Sequence, residues 1–180
     1  MENKIILLKG PTACGKTDHA SKLVKNHPLE IISVDSVMVY KGLDIGSAKP
    51  TSEELKLCPH HLIDVCEPTE NYSAGEFYQD VQRVMQSIIR KGKIPFLVGG
   101  TMMYFRVLEQ GISQLPSANP TVRNQINSEA AANGWAKLHQ ELQRIDPTAA
   151  KKIDPSDKQR IQRALEVHRI TGKPISSFHG

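Results

Sequence analysis

The chain has 180 residues, 39% hydrophobic and 23% charged, which excludes a disordered segment and leaves room for one cored domain with a small appended unit; no apolar run approaches the roughly 20 residues that span a bilayer. Lys and Arg number 23 against 19 Asp and Glu, a net charge of +4, enough to favour a polyanionic partner without specifying one. Cys14, Cys58 and Cys66 are odd in number and one sits in a glycine-rich loop, which fits a reducing compartment better than a disulfide framework; with residues 5–8 too short for a signal peptide, the expected location is the cytoplasm.

Residues 4–8 read as a strand that runs into Gly10-Pro11-Thr12-Ala13-Cys14-Gly15-Lys16-Thr17. In this spacing the glycines let successive N–H groups wrap toward phosphate oxygens, Lys16 adds a point charge, and the Thr17 hydroxyl is placed to hold Mg²⁺. A bare glycine turn would not require a lysine there. A helix follows over residues 17–26 and a second strand over 30–34. That strand delivers Asp35-Ser36 to the carboxyl edge of the sheet, where ligands collect. Three roles stay open for Asp35 on these grounds: binding Mg²⁺, taking a proton from a nucleophile, or capping the next turn.

A third strand is expected over residues 61–65. Cys58, His60, His61 and Cys66 lack a C-x-x-C pair, and adjacent histidines rarely converge on one metal, so hydrogen bonds shaping this loop are expected rather than zinc. Residues 74–91 form a well-delimited helix. Ser73 and Glu76 have capping-box spacing, Phe77, Val81, Val84, Met85, Ile88 and Ile89 line one face, and Gly92 stops it. The strand at 94–98 ends in Gly99-Gly100-Thr101, where a phosphate-hydrolysing enzyme of this class would usually carry an acidic Mg²⁺ ligand. The glycines admit a substrate near the backbone, and Thr101 offers a hydroxyl; a plain glycine turn is the alternative. Without that acid, and without a guanine-reading Asn-Lys-x-Asp, the phosphates fit a leaving group better than a fuel.

The strand–helix alternation over residues 1–115 predicts an α/β core: a P-loop NTPase-like, doubly wound parallel sheet. Residues 116–172 predict a helical lobe, with residues 173–180 beginning a return to the core. Asn119-Pro120 opens a helix ended by Gly134, Leu138, Leu142 and Ile145 mark another, and Asp146-Pro147 opens a short third. In the last helix Ser156 and Gln159 are expected to cap, with Ile161, Ala164, Leu165 and His168 inward and Gln159, Arg160, Gln162, Arg163 and Arg169 outward or at the edge. On composition alone, Arg123, Arg160 and Arg163 are equally a solvated helix face.

Five ordered motifs together resemble the bacterial tRNA dimethylallyltransferases: the phosphate loop, Asp35-Ser36 with Tyr40-Lys-Gly-Leu-Asp-Ile-Gly-Ser-Ala-Lys-Pro50, Pro59-His-His-Leu-Ile-Asp64, Val98-Gly-Gly-Thr101, and Arg160-Ile-Gln-Arg-Ala-Leu-Glu-Val167. The resemblance implies transfer of a dimethylallyl group from its diphosphate to N6 of the adenine immediately 3′ to the tRNA anticodon. It further implies that Lys16, the phosphate loop and Mg²⁺ near Thr17 hold the diphosphate, Asp35 accepts the N6 proton and Thr101 helps position the reacting groups. Residues equivalent to Asp35, Ser36, Val37, Met38, Thr101, Arg123, Gln159, Arg160, Gln162 and Arg163 would lie against the anticodon stem-loop, its target base flipped out of the stack. A monomer and no membrane are expected.

Two departures stand out. Cys14 replaces a common serine at a position that mainly contributes its backbone N–H, and Val37-Met38-Val39 replaces a more polar pattern. The family's chains usually continue well beyond residue 180 through a further basic region, so a truncated product is expected. Two other functional classes fit the same residues, a P-loop small-molecule kinase with Asp35 as base toward a substrate hydroxyl, and an inactive RNA-binding fragment.

Overall fold

The structure, a computed structural model, describes residues 4–11, 14–111 and 115–178. These fall into two compact units, Met1–Ile112 and Ser113–Gly180. Among the described residues no helix is long and apolar enough to cross a membrane.

The first unit is built on four parallel strands in the order β1-β4-β2-β3: β1 Ile6–Lys9, β2 Leu29–Val34, β3 His60–His61 and β4 Ile94–Gly99. β2 and β4 lie inside the sheet and are apolar almost throughout, as strands covered on both faces must be. On one face Ile32, Val34 and Leu97 pack against Phe77, Val81, Met85 and Ile88 of α3 (Ala74–Arg90) and Tyr104 and Phe105 of α4 (Met102–Gln110). On the other, Ile31, Phe96 and Val98 meet Ala20 and Val24 of α1 (Lys16–Asn26). Helices on both faces of a parallel sheet make the fold doubly wound α/β, as the alternation of elements predicts.

Local chemistry sets the element ends. Ser73 and Glu76 cap α3 reciprocally, the Ser73 N–H donating to the Glu76 carboxylate and the Glu76 N–H to the Ser73 hydroxyl. α2 (Ser52–Leu57), which the sequence reading omitted, starts with the same device at Thr51 and Glu54. The expected third strand at 61–65 is instead the two-residue β3. After His61 the chain enters left-handed backbone at Leu62 (φ 62°) and Asp64 (φ 54°), so it cannot extend the ladder, and residues 64–66 run beside 38–41 instead, Tyr40 bridging Cys66.

The second unit is helical: α5 Pro120–Asn133, α6 Trp135–Ile145, α7 Pro147–Lys152, α8 Lys158–Thr171 and a 3-10 turn Ile175–Phe178. Ile126, Leu138, Leu142, Ile161 and Leu165 form its core, with Trp135 and Ile175 against it; full burial of each large side chain contributes about 1.5–3 kcal/mol. Asn119 caps α5 and Asp146 caps α7. The expected Ser156 cap is corrected: α8 starts at Lys158, so Asp157 is the cap and accepts from the Arg160 N–H, while Ser156 lies one residue outside the helix and donates its hydroxyl to Asp154. His168 is only partly buried, while Glu166 and Val167 lie fully inside.

Candidate functional site

The carboxyl edge of the sheet forms a cleft of about 200 Å³ lined by Gly15, Lys16, Thr17, Asp18, Ser33, Asp35, Met38, Ala48, Pro50, His60 and the Val98–Gly100 turn. Three loops converge there because β1, β2 and β4 all point the same way. Gly15 starts α1 with φ 77°, a left-handed conformation glycine adopts without a Cβ clash. Lys16 Nζ donates back to the Pro11 carbonyl and lies 3.6 Å from Cys14 Sγ. Gly10 N–H donates to Gly99 O at 3.3 Å, tying the loop to the end of β4. Thr12 and Ala13, the other expected members of the phosphate loop, lie outside the described residues.

β2 and β4 touch so closely at this edge that a Cβ on Gly99 would stand 2.0 Å from the Val34 carbonyl oxygen. The Thr101 N–H donates to that same oxygen at 3.2 Å, and its Oγ1 accepts from the Ser36 N–H at 3.1 Å and faces Ser36 Oγ at 3.4 Å. The glycine pair therefore brings Thr101 onto the Asp35-Ser36 turn. Asp35 Oδ1 accepts from the Val37 and Met38 N–H groups at 2.8 and 3.2 Å. Asp35 thus caps its turn, one of the three roles open to it, and the same contacts fix the carboxylate at the cleft wall.

The structure brings Lys16, Thr17, Asp35 and Met38 into one cleft and ties Ser36 and Thr101 to its rim, with Val37 half exposed beside them. Sequence reasoning missed Asp18, Ser33, Ala48, Pro50 and His60 in the lining. His60 Nδ1–H donates to Cys58 O at 2.6 Å, and burial, outweighing that bond, pulls its pKa below the usual histidine value. His61 Nε2–H donates to Glu30. Among the described residues no group of three His, Cys, Asp or Glu is placed to hold a metal.

The remaining candidates lie on the helical unit, where Arg123 and Arg163 converge on Glu166, whose side chain is 0% exposed. Its carboxylate accepts from Arg123 Nε and Nη2 at 2.9 and 3.1 Å, from Arg163 Nη1 at 2.6 Å and from the Asn119 N–H at 2.8 Å. Burial alone would raise the Glu166 pKa, but these donors outweigh it and hold it below the ordinary carboxylate value. Arg163 also donates to Pro116 O. Arg160 and Arg163 line a second cavity of about 330 Å³ with Lys152, Ile153 and Ile175. Gln162 donates to Asn127 at 2.7 Å, and Gln159 is exposed.

Residues 38–180 match the family model described as IPP transferase. The chain belongs to this family. It is 56% identical over 174 residues to a tRNA dimethylallyltransferase of Coxiella burnetii and 54% identical over 180 residues to one of Thioalkalivibrio sulfidiphilus, covering 97% and 100% of itself but 56% of each relative. It therefore spans little more than half the length of these IPP transferases. Among solved structures it is similar to the full-length tRNA isopentenylpyrophosphate transferase of Bacillus halodurans, with 38% identity and a TM-score of 0.61 over 96% of this chain and 57% of that one. It is also similar to a eukaryotic dimethylallyltransferase captured acting on tRNA, with 28% identity and a TM-score of 0.79 over 99% of this chain and 44% of that one.

Proposed function

We propose that this IPP transferase moves a dimethylallyl group from dimethylallyl diphosphate to N6 of the adenine 3′-adjacent to the tRNA anticodon. The observation that carries the reading is that one cleft is lined both by the phosphate-loop residues Lys16 and Thr17 and by Asp35. An exocyclic adenine amine is a weak nucleophile, so transfer requires withdrawal of charge from the leaving group and removal of a proton as the bond forms. The N6 lone pair attacks the allylic carbon, the carbon–oxygen bond breaks toward the diphosphate, and the N6 proton passes to the Asp35 carboxylate. The first-turn N–H groups of α1 at Lys16 and Thr17 and the Lys16 ammonium meet the charge that develops on the diphosphate. Thr101 orients the Asp35-Ser36 turn through Ser36.

Thr17, with the Asp18 carboxylate beside it in the same lining, presents hard oxygen donors of the kind Mg²⁺ prefers. Mg²⁺ held at Thr17 would neutralise diphosphate charge. On the helical unit, Arg123, Arg160 and Arg163 with Gln159 and Gln162 supply the cationic and amide donors that meet an anticodon stem-loop. The protein is read as a cytoplasmic monomer.

The test is single-turnover transfer from radiolabelled dimethylallyl diphosphate to unmodified anticodon stem-loop RNA in the presence of Mg²⁺. Label on the adenine is expected from the wild type, and Asp35→Asn should slow it by about 10²–10⁴-fold, the usual contribution of a general base, with RNA affinity nearly intact. Unlabelled RNA with the wild type, or full activity in Asp35→Asn, sinks the assignment.

A further inference from the structure

We propose that Lys49 is a positioning residue of the cleft, clasping the Ala48–Pro50 wall to the segment that carries Asp35. The Lys49 side chain is 4% exposed, and its ammonium donates to Tyr40 O at 3.0 Å, Asp44 Oδ1 at 2.7 Å and Asp64 Oδ1 at 2.7 Å. Its neighbours Ala48 and Pro50 line the cleft together with Lys16, Thr17 and Asp35. From Asp64 the connection continues through backbone: the Asp64 N–H donates to Met38 O at 3.1 Å, and the Met38 N–H donates to Asp35 Oδ1 at 3.2 Å. Val65 and Cys66 add two further N–H bonds to Val39 O. One buried cation thus joins three loop segments, two of which contribute lining residues.

Backbone conformation marks the same spot independently. The positive-φ residues other than glycine among the described residues are Ala48 (φ 54°), Leu62 (φ 62°) and Asp64 (φ 54°), all beside the clasp. Left-handed backbone costs an ordinary L-residue about 1–2 kcal/mol, so it persists only where surrounding bonds over-determine it. At Asp64 those bonds are the Lys49 ammonium to its carboxylate and its own N–H to Met38 O. Burial alone would lower the lysine pKa, but the two carboxylates outweigh it and raise it, keeping the clasp charged.

The inference rests on the transferase reading for its kinetic consequence but not for its structural one, and the experiment separates them. Lys49→Met keeps the apolar stem and deletes the ammonium; Asp64→Asn keeps the shape and weakens the same clasp should the methionine variant not fold. Amide hydrogen exchange in peptides spanning 36–41 and 62–66 is expected to accelerate at least tenfold in either variant, with peptides of α3 unchanged. Single-turnover transfer, measured well below the melting temperature, is expected to fall at least tenfold in kcat with a smaller change in KM. Unchanged exchange at 36–41 overturns the clasp. Faster exchange with unchanged kcat leaves Lys49 purely structural and overturns the positioning role. Wild-type protein that transfers nothing refutes the transferase reading, while the exchange data still decide whether Lys49 holds the wall.

Discussion

Replacing Glu166 with alanine removes a fully buried carboxylate that serves four donors from Arg123, Arg163 and Asn119. Breaking a buried ion pair by deleting one partner typically costs about 3–5 kcal/mol, because the other charge is left uncompensated. Here the two guanidinium side chains remain 39% and 29% exposed, so once released they regain water. That places the expected loss near the lower bound, about 3 kcal/mol. The assay is urea unfolding followed by emission of Trp135, the single tryptophan, which packs on the same helical core as α8. A double-mutant cycle with Arg123→Met should return a coupling of about 1–2 kcal/mol. Because the folded pKa of Glu166 is depressed, its contribution is present above the ordinary carboxylate value and fades as pH falls below it. A loss under about 1 kcal/mol with an additive cycle would refute the view that Glu166 organises these arginines.

Gly99→Ala should destabilise the first unit by at least about 3 kcal/mol, read as a lower melting temperature, since its Cβ would overlap the Val34 carbonyl and overpacking of that severity cannot relax within a paired ladder. Glu30, mostly buried at the start of β2, is pushed up by burial but held down to about 2 by His61, Lys93 and Lys91. Its stabilisation, about 3 kcal/mol, should be complete above pH 4.5 and disappear between pH 4.5 and 2, and Glu30→Gln should flatten that part of the stability profile. Lys16→Met should lower kcat/KM for dimethylallyl diphosphate by at least about 100-fold, as loss of a charge facing a developing anion does. Equal rates would place the diphosphate elsewhere.

Features that depend on spacing along the chain were legible in the sequence. The phosphate loop, the Asp35 turn, the Ser73–Glu76 box and the Asn119 and Asp146 caps each involve residues within a few positions of one another, and the structure forms these caps as expected. The α2 cap at Thr51 and Glu54 carried the same signal and was overlooked. Asp157 rather than Ser156 caps α8 because the helix begins one residue later than the capping-box spacing places it, and two adjacent candidate acceptors are not separated by pattern alone. Properties set by distant partners stayed hidden. Nothing in Leu62-Ile63-Asp64 announces left-handed backbone, in a segment whose Asp64 is bonded to Met38 and Lys49 far along the chain. Nothing in a helix rich in arginine announces that Glu166 is its most buried polar group, because that burial is made by α5 and the segment before it.

The sheet order has a consequence for how the protein comes to be. β1 pairs with β4, Ile6 against Phe96, and β2 with β4, Leu29 against Ile94. The strand that carries the phosphate loop therefore meets its ladder neighbour only after about ninety further residues have been made, at a ribosomal pace of roughly 5–20 residues per second. During those seconds the apolar residues of β1 and β2 await the one strand that separates them in the finished sheet. The nascent chain is thus most prone to aggregation before Ile94–Gly99 emerges, and the interval is fixed by topology rather than by any single contact.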